Sequence, residues 1–181
     1  AAVQVVPSGP LLRNDAIQQI LLMAIYAARR ELVLTTPYFV VDDALLTALV
    51  TAARRGVAVT VVVPARVDSR LVALASRGNE AELVAAGVRM AHFRGGLLHT
   101  KSITVDGGLS LFGSLNLDPR SLYLNFEITL VVYDRDFTGR LRQLQELYIG
   151  ACEITDHAAW EARPRLPRLV ENAARLLAPL L

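Results

Sequence analysis

Cysteine is nearly absent from this chain: Cys152 stands alone in 181 residues. That excludes an internal disulfide and is compatible with a reducing compartment. A single small core residue is the ordinary role for it. Long apolar runs are also missing, although 53% of the residues are hydrophobic. The longest candidate, Ile20 to Ala28, is too short to cross a bilayer and reads as a buried helix. No secretory signal pattern precedes it. A strong charge of one sign is missing too: the net charge is +2. That is no nucleic-acid footprint, and arginine-rich contact with an anionic surface is a modest inference from it. Internal repeats and low-complexity linkers are absent. What remains is enough chain for one well-packed domain over residues 1–181.

Strand and helix patterns alternate along it. Val3 to Val6 reads as a short edge strand and Ser8 to Pro10 as a turn. Asn14 or Asp15 caps a helix that runs to about Arg30, with Ile17, Ile20, Leu21, Ala24 and Ile25 at helical spacing. Leu32 to Thr36 is a strand stopped by Pro37. Asp42 or Asp43 caps a helix to Arg55, closed by Gly56. Val57 to Val63 is continuously apolar, as in a strand buried on both faces. A helix from Asp68 to Ala75, a break over Ser76 to Asn79, and a helix from Glu80 to Ala86 follow. Val88 to Phe93 is a strand in which His92 reads as structural. Asp136 caps a helix from Phe137 to about Ile149. His157 reads as a surface residue. The tail from Trp160, helical over about 164–181, carries Leu166, Leu169, Ala173, Leu176 and Leu177 as an apolar stripe. It docks on the domain's own core or, with its arginines, meets membrane headgroups or the other half-domain. The alternation predicts an α/β sandwich, a mixed central sheet flanked by helices.

The chemistry concentrates in Leu98 to Asp106, Gly113 to Asn116, and Glu127. Read as a strand, the first segment puts His99, Lys101, Ile103 and Val105 on one face. Asp106-Gly107-Gly108 predicts a hairpin, and Leu109 to Gly113 the returning strand. The hairpin carries Ser114 and Asn116 back beside His99 and Lys101. Lysine and asparagine supply donors for phosphate oxygens, and serine adds a hydroxyl. Histidine can attack phosphorus or shuttle a proton near neutral pH. No second histidine or cysteine stands at metal-ligand spacing, so a metal-free phosphoryl site fits. Tyr123 to Val132 reads as a strand whose even positions are all apolar. Glu127 then needs a partner, and an imidazole N–H is a good one. Tyr38 and Phe39 follow a strand end, where α/β proteins place ligand-facing loops, and simple packing suits them equally. Arg77 faces phosphate or solvent. Asp118 to Ser121 is a turn that projects Arg120 toward the cleft.

His99-x-Lys101-x4-Asp106-x6-Gly113-Ser114-x-Asn116 resembles the signature of the phospholipase D (HKD) superfamily, with every fixed position filled. Glu127 sits where that superfamily carries a histidine-orienting glutamate. Val5 to Pro10, Thr36 to Phe39, Asn116 to Ser121, Leu124 to Glu127 and the closing Arg175 to Leu181 resemble the bacterial cardiolipin synthases. The likeness covers nearly the whole chain and matches the second half of such an enzyme. One departure is that this chain lacks the aromatics those enzymes often have near Gly78-Asn79.

The resemblance implies the phospholipase D fold, in which two halves meet and each gives one His-Lys-Asn set. It implies a phosphohistidine intermediate, catalytic roles for His99, Lys101, Asn116, Ser114 and Glu127, and structural roles for Asp106 and Gly113. Tyr38, Phe39, Arg120 and Arg77 are the candidate substrate contacts. No cofactor and no metal are expected. The implied substrate is phosphatidylglycerol, converted to cardiolipin at the bacterial cell membrane. The implied partner is a second HKD half, from a missing N-terminal domain or from a homodimer. The chain begins with Ala, which suggests a fragment whose membrane anchor lies outside it. A homodimeric phosphodiesterase, whether phospholipase or nuclease, and a non-catalytic phospholipid-binding half-domain are the competing readings.

Overall fold

A computed structural model describes residues 1–11, 15–67 and 70–155. Its described elements are β1 (Ala2–Ser8), α1 (Asp15–Ala27), β2 (Glu31–Thr35), α2 (Asp43–Arg54), β3 (Ala58–Pro64), α3 (Arg70–Ala85) and β4 (Arg89–Phe93). They continue with β5 (Ser102–Val105), β6 (Leu109–Gly113), α4 (Pro119–Tyr123), β7 (Glu127–Tyr133), α5 (Arg135–Gly150) and β8 (Cys152–Ile154). The strands form one sheet in the order β1-β7-β6-β5-β2-β3-β4-β8. β2, β3 and β4 run parallel. The remaining pairs are antiparallel.

The sheet is covered on both sides, as the continuous apolar β3 requires. On one face α1 and α2 bury Ile17, Leu21, Leu45 and Leu49 against Leu32, Leu34, Val61 and Ile103. On the other, Tyr148 and Ile149 of α5 pack on Val33, Val62, Ala91 and Leu98. This second interface is partly polar. Gln145, fully buried, accepts from Thr104 Oγ1 at 2.7 Å and donates to Ser102 Oγ at 3.1 Å and Val33 O at 3.3 Å. Ser110 and Thr138 hydroxyls meet at 2.6 Å. The alternation of β5 is therefore Ile103 and Val105 toward α1 and α2, Ser102 and Thr104 toward α5.

Several sequence expectations shift. The first helix ends at Ala27 rather than near Arg30, because the next backbone N–H groups are taken by another partner. Asp106 Oδ2 accepts from Arg29 N at 2.9 Å, and Oδ1 accepts from Arg30 N at 2.8 Å and Glu31 N at 2.9 Å. The break expected over 76–79 does not exist: α3 runs unbroken from Arg70 to Ala85. Gly78 and Asn79 are buried inside it, and the Asn79 amide donates to Val41 O at 3.1 Å. That tertiary bond outweighs weak helix propensity. The cap of α5 is Asp134, which accepts from Phe137 N at 2.8 Å; Asp136 lies in the first turn. The predicted turn at 118–121 and the start of the predicted strand form α4 instead, and β7 begins only at Glu127. Strand β8 was not anticipated. The cap candidate Asn14, the expected helix start at Asp68, His157 and the tail from Trp160 with its stripe lie outside the described residues.

Cys152, in β8, is half-buried and donates to Tyr148 O at 3.0 Å. Burial pushes its thiol pKa up, opposed by the charge of Arg89, which suits an inert packing role. Edge strand β1 is longer than expected and pairs with β7 along its whole length.

The β5–β6 turn has positive φ at Asp106 (51°) and Gly107 (67°), the twist that suits a tight hairpin. Its carboxylate feels two opposed effects: desolvation raises its pKa, but the backbone donors of Glu31, Arg29 and Arg30 and the Arg30 charge lower it further. The net depression means Asp106 stabilises the fold above the ordinary carboxylate range, and that contribution fades as pH falls through the lowered value. Asp106→Ala should cost about 2–3 kcal/mol in denaturant unfolding at neutral pH. The variant's deficit should shrink as both proteins are taken to acid. A neutral-pH stability equal to wild type would refute the clamp.

Candidate active site

The carboxyl ends of β2, β3 and β4 lie at the same edge of the sheet as the start of β5, since Thr35 pairs with Ser102. The end of β6 and the start of β7 share this edge, because Gly113 pairs with Thr129. Ligand sites in open α/β sheets gather at such an edge. His99 and Lys101 precede β5 rather than lying within it, yet they keep the expected side-by-side arrangement. Lys101 Nζ stands 3.2 Å from each ring nitrogen of His99 and donates to His99 O at 2.9 Å. His99 is exposed and Lys101 half-buried. Lys101 lines the inner wall with Leu21, Ile103, Gly113 and Thr129.

That wall acts on the ammonium. Desolvation lowers the Lys101 pKa, while Glu127 and then Asp118 pull it back up. A partly desolvated cation held between two carboxylates can meet a phosphate oxygen with little competing water.

Ser114 arrives by way of an unusually close strand contact. A Cβ added to Gly113 would lie 2.0 Å from Ile128 O and 2.9 Å from Thr129 Cα. Only glycine lets β6 approach β7 this closely. The approach sets Ser114, whose N–H donates to Ile128 O at 3.0 Å and whose Oγ accepts from Ile128 N at 3.0 Å. Asn116 follows, half-buried, with Nδ2 donating to Ser121 Oγ at 3.2 Å. Asp118 caps α4 by accepting from Ser121 N at 2.7 Å. Burial raises its pKa, with the nearby Glu127 charge adding to that, against hydrogen bonds from Ser121 and Asn116.

Sequence reasoning missed Asp118. The Asp-Pro pair opening a short helix was its signal, since Pro at the first helical position follows a capping residue. Glu127, at the mouth of β7, accepts from Asn125 Nδ2 at 3.3 Å. Its electrostatic partners are Lys101 and Asp118; among the described residues it makes no hydrogen bond to His99.

The aromatic pair divides. Phe39 is 1% exposed and belongs to the core, bridged to Leu117. Tyr38 is half-buried, and its carbonyl accepts from Thr36 Oγ1 at 2.8 Å. Arg120 is exposed on α4. Arg77 lies away from the cluster, on a separate cavity at the same edge. His92 is structural as expected, its Nε2 3.0 Å from Thr155 Oγ1. The apolar even positions of the 123–132 segment are not all buried: Leu124, Phe126 and Ile128 are exposed, as is Leu97 beside His99. Among the described residues, no group of three or more His, Cys, Asp or Glu could hold a metal ion.

Three kinds of likeness bear on this site. Residues 21–147 match the family described as cardiolipin synthase, PLD-like domain. The chain is 51% identical over 179 residues to cardiolipin synthase A of Edwardsiella ictaluri, covering 99% of this chain and 37% of that protein. The cardiolipin synthase A of Erwinia tasmaniensis matches with the same identity and coverage. The chain therefore spans little more than a third of the length of these curated relatives. Among solved structures, the phospholipase D family member Nuc from Salmonella typhimurium superposes with a TM-score of 0.74 at 22% identity, covering 85% of this chain and 97% of that one. A phosphatidylserine synthase from Haemophilus influenzae gives a TM-score of 0.72 at 18% identity, covering 99% of this chain and 48% of that one. These two show the fold.

Two outcomes follow from the local geometry. Gly113→Ala should destabilise the β6–β7 pair by about 2 kcal/mol or more, as overpacking does, read by denaturant unfolding. A variant as stable as wild type would refute the close contact. Glu127→Gln removes a charge that raises the Lys101 pKa, so the ammonium should titrate at still lower pH by NMR. An unmoved titration would show that the two side chains are not coupled.

Proposed function

The chain belongs to the cardiolipin synthase, PLD-like domain family, and from that footing we propose that it forms one half of the active site of a phosphatidyltransferase that makes cardiolipin from phosphatidylglycerol. The observation that carries this reading is the convergence of His99, Lys101, Ser114 and Asn116 at one sheet edge, in a chain 51% identical to cardiolipin synthase A over nearly its whole length.

The chemistry runs in two displacements. A histidine nitrogen attacks the phosphorus of phosphatidylglycerol, and the bond from phosphorus to the glycerol oxygen breaks. A second histidine gives its proton to that oxygen, and glycerol leaves. The headgroup hydroxyl of another phosphatidylglycerol then loses its proton to the second histidine. Its oxygen attacks phosphorus, the phosphorus–nitrogen bond breaks, and cardiolipin is released. Splitting the reaction in this way replaces one hard step by two easier ones. His99 fills one of the two histidine roles, and a second half or a second copy of the chain fills the other. Lys101, Asn116 and Ser114 hold the phosphate oxygens as charge reorganises. Glu127 and Asp118 position Lys101. Asp106 and Gly113 build the hairpin.

The rim supports a lipid substrate. Leu97 is 90% exposed, and Leu124 and Phe126 are 64% and 66% exposed at the same edge. Apolar side chains around a polar centre suit contact with a bilayer surface. No described helix is long and apolar enough to cross a membrane.

The test uses phosphatidylglycerol vesicles, with the chain alone and with a second HKD half supplied. Wild type should yield cardiolipin and glycerol in at least one arrangement. His99→Ala should lower the rate roughly hundredfold or more, as loss of a positioned proton-transfer group or nucleophile does, without changing thermal unfolding. Phosphatidic acid without cardiolipin would move the reading to a phospholipase. No turnover in either arrangement would favour a lipid-binding half-domain.

A further inference from the structure

Two cavities lie along the same sheet edge, outside the His99–Lys101 cluster. One, of about 320 Å³, is walled by Pro37, Pro64, Arg66, Arg77, Glu80 and His92 among others. The other, of about 570 Å³, is lined by Ala65, Arg66, Phe93, Arg94 and Gly96. Ala65 and Arg66 belong to both, so the two are parts of one groove. Gly96 stands three residues before His99, a span of about 11 Å at most when fully extended. The groove thus runs from Arg77 past Arg66 to the approach of the catalytic histidine.

Its charge is arranged in layers. Arg66 and Arg77 are exposed, and among the described residues neither is in an ion pair. Arg94 is already held by Glu153. Deeper, Glu80 is 2% exposed, and its Oε2 has no hydrogen bond and lies 3.5 Å from His92 Nε2. The carboxylate is thus sealed in against the imidazole, and the two guanidinium groups dominate the opening.

The reaction proposed above brings two phosphodiesters into one cleft, both anionic. In the catalytic cluster, Lys101 is the cation that meets the donor phosphate. A second phosphate needs its own counter-charge, or the two anions repel. Guanidinium groups suit this because they bind phosphate oxygens with paired, directed N–H bonds. The geometry points to the Arg66–Arg77 groove as a second phosphate subsite, which holds the phosphodiester of the acceptor lipid headgroup while its terminal glycerol reaches toward His99. This assignment rests on the phosphatidyltransferase reading.

The probe is glycerophosphoglycerol, the acceptor headgroup without acyl chains, followed by ³¹P NMR titration of the chain. Wild type should bind two equivalents. Lys101→Ala should lose one of them, and the Arg66→Ala/Arg77→Ala double variant should lose the other, weakening it roughly tenfold or more. Arg66→Lys/Arg77→Lys should restore part of it. Both arginines are exposed, so the variants should unfold at the wild-type temperature. Two findings would each overturn the assignment: a second equivalent that survives the double alanine variant, or a single equivalent in wild type. Inorganic phosphate that competes at the arginine site as well as glycerophosphoglycerol does would also overturn it, by showing a general anion site. Failure of the underlying reading is seen separately, in the vesicle assay, as phosphatidic acid without cardiolipin or as no turnover in either arrangement.

Discussion

The carboxylate of Asp106 ties the β5–β6 turn to the α1–β2 junction, two parts of the chain that are distant in sequence. It sits in a left-handed turn residue, and it accepts from three successive backbone N–H groups at the junction of α1 and β2. One bond of this kind would satisfy a stray donor. Three of them end a helix, start a strand and lock the hairpin turn to both. Because the turn is fixed at one end of β5, the register of β5 against β2 is fixed as well. That register decides which residues stand at the opposite end of the strand, and those residues are Lys101 and His99. The aspartate of the HKD signature thus acts on the site from the far edge of the sheet, through backbone geometry.

The site edge combines exposure and desolvation. His99 is open to solvent. Lys101 is partly withdrawn against Leu21, Ile103 and Leu111, and two carboxylates keep it from losing its proton too readily. Asp118 belongs to this balance although it is also a helix cap, because burial and the neighbouring Glu127 make its charge costly. A similar economy appears at Asp42, which caps α2 and also accepts from Gln18 and from Tyr123 at 2.5 Å each. Burial, together with that carboxylate, raises the Tyr123 pKa. The result is that α1, α2 and α4 are pinned together directly behind the cluster.

A chain that spans 37% of its relatives' length carries one histidine set, and the proposed mechanism needs two. The surface is consistent with a site that is completed from outside: the polar centre is open, rimmed by Leu97, Leu124 and Phe126, and flanked by the arginine groove. Under the proposed function, the apolar rim and the cationic groove meet different parts of a phospholipid, the acyl boundary and the phosphate.

The sequence by itself determined the layered α/β architecture, the β5–β6 hairpin and the spacing that brings His99, Lys101, Ser114 and Asn116 to one sheet edge. These rest on local signals: strand periodicity, the Asp-Gly-Gly turn, and a fixed spacing of reactive side chains. It also marked Asp106 and Gly113 as the residues that open and close the hairpin, one at the turn and one at the end of the returning strand. Tertiary structure decided the rest. Where the first helix stops depends on a carboxylate about 76 residues away in the chain. Whether α3 breaks at Gly78 depends on Val41 O, and whether Phe39 is a ligand contact or core depends on Leu117. The sign of Glu127's influence needed the positions of Lys101 and Asp118. The arginine groove is invisible in sequence because its walls come from the ends of three strands and one helix, brought together only by the sheet order. Periodicity reports which face of an element is buried; it carries no information about what a distant segment places against that face.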